Sequence, residues 1–216
     1  MIKLIIFDLD GTLLDTSRDI RKVTNASLKK FGLPEITYGQ TLAFVGDGAR
    51  LLVERAAGVA DKELVDKVYA DYSYNFVRCD NLCTTLYDGE DEVLTRLAAR
   101  GVQFAVVTNK PQEAADRVCA QYLKKYGVER VIGGGEGVPR KPDPQSVLKL
   151  ISEYDLDKNE VLFVGDGETD ARTAINAGIK GVSVLWGFRS REQLEEAGAK
   201  LFANDFYELE NIVLKF

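Results

Sequence analysis

Six short apolar runs are separated by stretches of helical character, and this alternation constrains the fold more than any other feature. The runs are Lys3–Phe7, Val102–Val107, Val128–Ile132, Val161–Val164, Gly181–Leu185 and Lys200–Ala203. They are apolar at consecutive positions and rich in Val and Ile, the pattern of strands covered on both faces. Between and after them, Asp91–Arg100, Glu113–Tyr126, Pro144–Tyr154, Thr169–Ala177, Arg191–Ala197 and Phe206–Lys215 read as helices. Strand–helix alternation predicts an α/β fold, a three-layer Rossmann-like parallel sheet with right-handed crossovers.

One block breaks the rhythm. From Thr16 to Thr85 no strand is expected, and Ile20, Val23, Leu28 and Phe31 recur at helical spacing, as do Leu51–Ala56 and Leu64, Val65 and Val68. Gly32-Leu33-Pro34 and Gly46-Asp47-Gly48 punctuate it. The expected organisation is therefore a sheet domain from residues 1–15 and 86–216, carrying a helical insertion over 16–85.

Composition removes whole classes of chemistry. The chain contains no histidine, which excludes Ser-His-Asp hydrolysis, HExxH zinc sites and histidine phosphatases. Its three cysteines, Cys79, Cys83 and Cys119, have no Cys-x5-Arg loop and read as buried thiols in a reducing cytoplasm. No glycine cluster completes a dinucleotide or P-loop fingerprint. A net charge of −6 argues against nucleic-acid or membrane partners, and neither a signal peptide nor a membrane span is expected. Catalysis is left to carboxylates, lysine, Ser/Thr or a bound metal.

In a parallel sheet, ligands bind outside the carboxyl ends of the strands. Four polar segments are expected on that rim: Asp8-Leu9-Asp10-Gly11-Thr12, Thr108-Asn109-Lys110-Pro111, Arg140-Lys141-Pro142-Asp143-Pro144 and Gly165-Asp166-Gly167-Glu168-Thr169-Asp170. Taken singly, each fits an ordinary turn, cap or surface residue. Together they crowd Asp8, Asp10, Asp166 and Asp170 into mutual repulsion that a divalent cation would offset. Mg²⁺ takes oxygen ligands and needs only one or two carboxylates. Carboxylates, Mg²⁺, one lysine and small donors are the parts of phosphoryl transfer. Without histidine or an activated cysteine, the nucleophile is a carboxylate that forms an aspartyl-phosphate. A second carboxyl then protonates the leaving group and activates water.

These four segments, in this order, resemble the motifs of haloacid dehalogenase superfamily phosphatases, and the insertion resembles that superfamily's C1 cap. Phe44-Val45-Gly46-Asp47-Gly48, Leu86-Tyr87-Asp88-Gly89 and Trp186-Gly187-Phe188 extend the likeness to the phosphoglycolate phosphatase-like branch. The resemblance implies Asp8 as nucleophile, Asp10 as general acid/base, and Mg²⁺ held by Asp8, the Asp10 carbonyl and Asp166. It implies phosphate bound by Gly11, Thr108, Asn109 and Lys141, with Asp170 in support. The substrate would be a small phosphomonoester, with 2-phosphoglycolate leading, read in the cap by Gly46, Asp47, Gly48 and Arg50. A sugar phosphomutase is the alternative on this scaffold, a non-catalytic phosphate-binding module is a third reading, and a monomer or homodimer fits either enzyme.

Overall fold

Side chains of the apolar runs turn alternately to opposite faces, and so build two apolar layers. Ile5 and Phe7 join Phe104, Val106, Leu162 and Val164 on one face, while Leu4 and Ile6 join Ala105, Val107, Val161 and Phe163 on the other. The computed structural model describes all 216 residues. Its chain runs β1 (Leu4–Phe7), β2 (Leu14–Asp15), α1 (Ser17–Lys30), α2 (Tyr38–Phe44), α3 (Ala49–Ala57), α4 (Lys62–Val77), β3 (Thr85–Leu86) and α5 (Glu90–Ala99). It continues β4 (Gln103–Pro111), α6 (Gln112–Tyr122), β5 (Arg130–Gly134), α7 (Gln145–Glu153), β6 (Val161–Gly165) and α8 (Glu168–Ala177). The last elements are β7 (Lys180–Val184), α9 (Arg191–Glu196), β8 (Phe202–Ala203) and α10 (Phe206–Leu214).

The main sheet has the order β5-β4-β1-β6-β7-β8 and is parallel throughout. Helices cover both of its faces, as the alternation predicts. Strand β1 lies at the centre, paired with β4 on one side and β6 on the other. Its carboxyl end therefore opens between the ends of both neighbours.

Three local differences from the sequence reading have physical causes. Strand β4 runs on to Pro111 instead of ending at Val107, with a shift of register against β5 between those residues. Such a bulge bends the strand end and re-aims its side chains. Helix α6 stops at Tyr122, and Lys124–Tyr126 form a 3₁₀ turn closed by Gly127 at φ +79°. Where no strand was expected before residue 86, Thr85 pairs with Asp15 and Leu86 with Leu14, so β2 and β3 form a small antiparallel ribbon. Helices α1 to α4 lie between them in the chain. They bury an apolar cluster of their own, including Ile20, Leu28, Leu52, Val53, Val68, Tyr72 and Phe76. No helix is long and apolar enough to cross a membrane.

Glu90, the first residue of α5, is fully buried. Its Oε2 accepts from the Tyr87 N–H at 3.1 Å, while Oε1 has no partner. Burial pushes its carboxyl up to about 8, against an ordinary 4.5. The folded chain thus keeps a proton that the unfolded chain releases, and this contribution to stability is present below pH 4.5 and lost as pH rises towards 8. Glu90→Gln, which cannot ionise, should remove a loss on the order of a few kcal/mol over that window. Urea unfolding at several pH values checks it. Parallel wild-type and variant profiles would show that Glu90 does not titrate there.

Candidate active site

The centre of the site is the point where β1 ends. The Asp8 N–H still donates to Val164 O at 2.9 Å, so the residue is held as an extension of the strand, and its side chain is buried. The next two amides, of Leu9 and Asp10, make no hydrogen bond within the chain. The chain then turns at Gly11, where φ is +90° and a Cβ would lie 2.4 Å from Asp166 Oδ2. Only glycine allows both that conformation and that approach.

Lys141 binds two of the acids together. Its ammonium lies 2.7 Å from Asp8 Oδ1 and 2.6 Å from Asp170 Oδ1, with the side chain 2% exposed. The contact with Asp8 is close but lacks hydrogen-bond alignment, which leaves Asp8 Oδ1 without a directed donor. Burial opposes charge on Lys141, but the Asp170 and Asp8 carboxylates outweigh it and hold the ammonium above its usual range. The Gly167 N–H fixes the other oxygen of Asp170 at 2.8 Å.

Asp166 completes the cluster. Its Oδ1 accepts from Thr12 Oγ1 and its Oδ2 from the Phe188 N–H, both at 2.8 Å. Oxygens of Asp8, Asp166 and Asp170 lie within 4.8 Å of one another. Burial raises Asp8 to about 6 against the pull of Lys141, and burial with the charges of Asp170 and Asp8 raises Asp166 to about 7. Three acids against one lysine leave the pocket with excess negative charge in a poorly solvated place. An oxygen-only donor set with one undirected carboxylate oxygen fits a hard divalent cation such as Mg²⁺.

Asp10 faces a different environment. Its Oδ1 accepts from Lys110 Nζ at 2.8 Å and from Thr16 Oγ1 at 2.5 Å. Beside Asp8 and Asp10 lies a cavity of about 40 Å³, walled by the end of β4 and by residues of α1, α3 and α4. Thr108, Gly46 and Gly48 line it. Asp47 faces the acid cluster from the other side and pairs with Arg55 at 2.6 Å.

Three expected contacts are corrected. The Gly11 N–H donates to Leu14 O at 2.9 Å and is not free for phosphate; the free amides are those of Leu9 and Asp10. The Asn109 carboxamide is committed to backbone, donating to Gly46 O at 3.0 Å and accepting from the Lys141 N–H at 2.9 Å. It brackets the Lys141 loop against the insertion. Arg50 lies on the surface of the insertion, paired with Glu54 at 2.6 Å and Asp66 at 2.5 Å and set over the Tyr69 ring. It does not line the cavity.

Two residues take contacts that the sequence does not assign: Lys110, expected on the rim without a role, and Arg189. Lys110 is buried at the bulged end of β4. Its signal was a lysine following a run of covered strand residues closely enough to share their layer. Arg189 donates to Leu42 O at 2.7 Å, Val45 O at 2.6 Å and Glu168 Oε2 at 2.8 Å, joining the insertion to the sheet. It follows directly on Trp186-Gly187-Phe188.

The family profile described as haloacid dehalogenase-like hydrolase matches residues 5–184. The chain belongs to the haloacid dehalogenase-like hydrolase family. A phosphoglycolate phosphatase of Mannheimia succiniciproducens is 32% identical over 223 residues, covering 98% of this chain and 98% of its own. One from Aliivibrio fischeri is 29% identical over 212 residues, covering 95% and 93%. A crystal structure from Haemophilus somnus, described as a predicted phosphoglycolate phosphatase, superposes with a TM-score of 0.88 at 27% identity over 98% and 97% of the two chains. As a haloacid dehalogenase-like hydrolase, the chain thus has end-to-end relatives that are phosphatases, and its six-stranded sheet is the fold of that family.

Proposed function

We propose that the protein is a Mg²⁺-dependent phosphatase that hydrolyses a small phosphomonoester, foremost 2-phosphoglycolate, through a phosphorylated Asp8. The observation that carries this is the pairing of Asp8, with one oxygen undirected, and Asp10, held by Lys110 and Thr16, on one small cavity. The full-length relatives named phosphoglycolate phosphatase support the substrate.

Asp8, the Asp10 carbonyl and Asp166 would hold a Mg²⁺ ion, which would supply positive charge to offset the charge of the phosphoryl group. The Leu9 and Asp10 amides and the Thr108 hydroxyl donate to phosphoryl oxygens, and Lys141 neutralises a further charge. Asp170 keeps Lys141 in place. An Asp8 carboxylate oxygen forms the new bond to phosphorus as the ester P–O bond breaks, and Asp10 gives its proton to the departing oxygen. Water then bonds to phosphorus, its proton passes to Asp10, and the Asp8–phosphorus bond breaks to release phosphate. Lys110 and Thr16 occupy Asp10 Oδ1, which leaves Oδ2 as the oxygen free to give and take the proton in these steps. Residues 16–85 act as a cap that closes over the rim and excludes bulk water while the ester breaks.

Asp10→Asn should lower turnover by roughly 10²–10⁴-fold while substrate still binds, the usual worth of a general acid–base group. Phosphate release from a phosphomonoester panel tests the whole reading, with 2-phosphoglycolate expected to give the highest kcat/KM. Isomerisation of a sugar monophosphate activated by a sugar bisphosphate, with hydrolysis as a side reaction, would replace the phosphatase reading by a mutase.

A further inference from the structure

Resting on the phosphatase reading, we propose that Lys110 selects the substrate by pairing with an anionic group on its leaving portion. The cavity beside Asp8 and Asp10 is small and mostly apolar, and apart from those two acids it has a single charged lining residue, Lys110. The arginine expected to do this work, Arg50, is engaged with Glu54 and Asp66 outside it.

The lysine is built in rather than draped over a surface. Its side chain is 3% exposed, its ammonium sits 4.4 Å from the centroid of the Phe76 ring, and Asp10 Oδ1 accepts from it at 2.8 Å. An ammonium has three donors; Asp10 takes one and the ring face is not a hydrogen-bond acceptor of comparable strength. Tyr72 lines the same wall, and its hydroxyl makes no hydrogen bond within the chain. A buried cation with donor capacity in a cavity of about 40 Å³ suits a short acid better than a neutral alcohol or a sugar. Burial strengthens the preference, because an unmatched charge there is poorly solvated.

Phe76 and Tyr72 belong to α4 and Leu52 to α3, whereas Lys110 belongs to the sheet. The pocket for the leaving portion is thus complete only where insertion and sheet meet. The substrate class that follows is the phosphate ester of a two- or three-carbon hydroxy acid.

The test compares 2-phosphoglycolate with 2-hydroxyethyl phosphate, which replaces the carboxylate by an uncharged group of similar size. Wild type should favour the acid by at least tenfold in kcat/KM. Lys110→Met should lose on the order of 10²-fold or more on the acid, the range for removing one side of a buried charge pair. On the neutral ester it should lose only what the weakened hold on Asp10 costs, so the preference for the acid should fall by at least tenfold, and Lys110→Arg should recover part of that preference. Equal losses on both esters would reduce Lys110 to a holder of Asp10 and overturn the proposal. So would a wild type that does not discriminate, a result that needs no variant to fold. Equilibrium titration of 2-phosphoglycolate into Asp8→Asn protein, with and without Lys110→Met, reads the same pairing without turnover. Unchanged affinity there also overturns it, whereas weakened affinity on Lys110→Met, with wild type hydrolysing neither ester, upholds Lys110 and sinks the phosphatase reading alone.

Discussion

Asp8→Asn is expected to stop turnover, with a loss on the order of 10⁴-fold or more, as for removal of a covalent nucleophile. The fold should survive. Asp8 is already disfavoured as an anion by burial, and the amide replaces it at nearly the same volume. Lys141 keeps Asp170 as a partner at 2.6 Å, so the substitution does not strand a buried ammonium. Thermal unfolding should therefore move little while activity disappears. Acid-quenched wild type should carry labelled phosphate on Asp8 during turnover, and the variant none. Near-native rates in Asp8→Asn would eliminate the covalent route and leave direct attack by water.

Removing divalent metal should have a comparable effect. Without it, Asp8, Asp166 and Asp170 oppose one another within 4.8 Å, and a phosphate dianion adds to their charge. Exhaustive chelation should abolish phosphate release, and added Mg²⁺ should restore it. Ca²⁺ should not, because its larger, looser coordination does not hold the octahedral arrangement that Mg²⁺ imposes. Binding should also release protons, since burial holds Asp8 and Asp166 partly protonated in the metal-free protein, and calorimetry in buffers of different ionisation enthalpy measures them. Full activity after chelation would remove the metal from the mechanism.

How far the site could be read from sequence depended on what carries each residue. Asp8, Lys141, Asp166 and Asp170 come together as expected because each sits at or just past a strand end, and strand ends in a parallel sheet share one rim. The apolar runs themselves marked the layers, since Phe7 and Ile6 could only point to opposite covered faces. What failed was direction at short range. Gly11 lies just past the end of β1, but the destination of its N–H depends on a turn that brings Leu14 O within 2.9 Å. Arg50 failed for another reason: a long side chain on an exposed helix has several acids in reach, and Glu54 one turn away and Asp66 on α4 claim it. The sequence puts Lys110 on the rim but gives it no role, because the register shift that turns it onto the cavity has no sequence signature of its own.

The short ribbon of β2 and β3 has a meaning for the history of such a chain. Asp15 faces Thr85 and Leu14 faces Leu86, so the segment between them leaves the sheet and returns to it through neighbouring strands, about 5 Å apart. A module whose own ends lie that close meets the spacing of this junction without displacing β1, although it would have to replace the contacts that Gly46, Leu42 and Val45 make with Asn109 and Arg189. On the proposed mechanism the four helices would be a replaceable head on a fixed tool: recombination at two adjacent points would change which molecules are admitted and leave the reaction in the sheet.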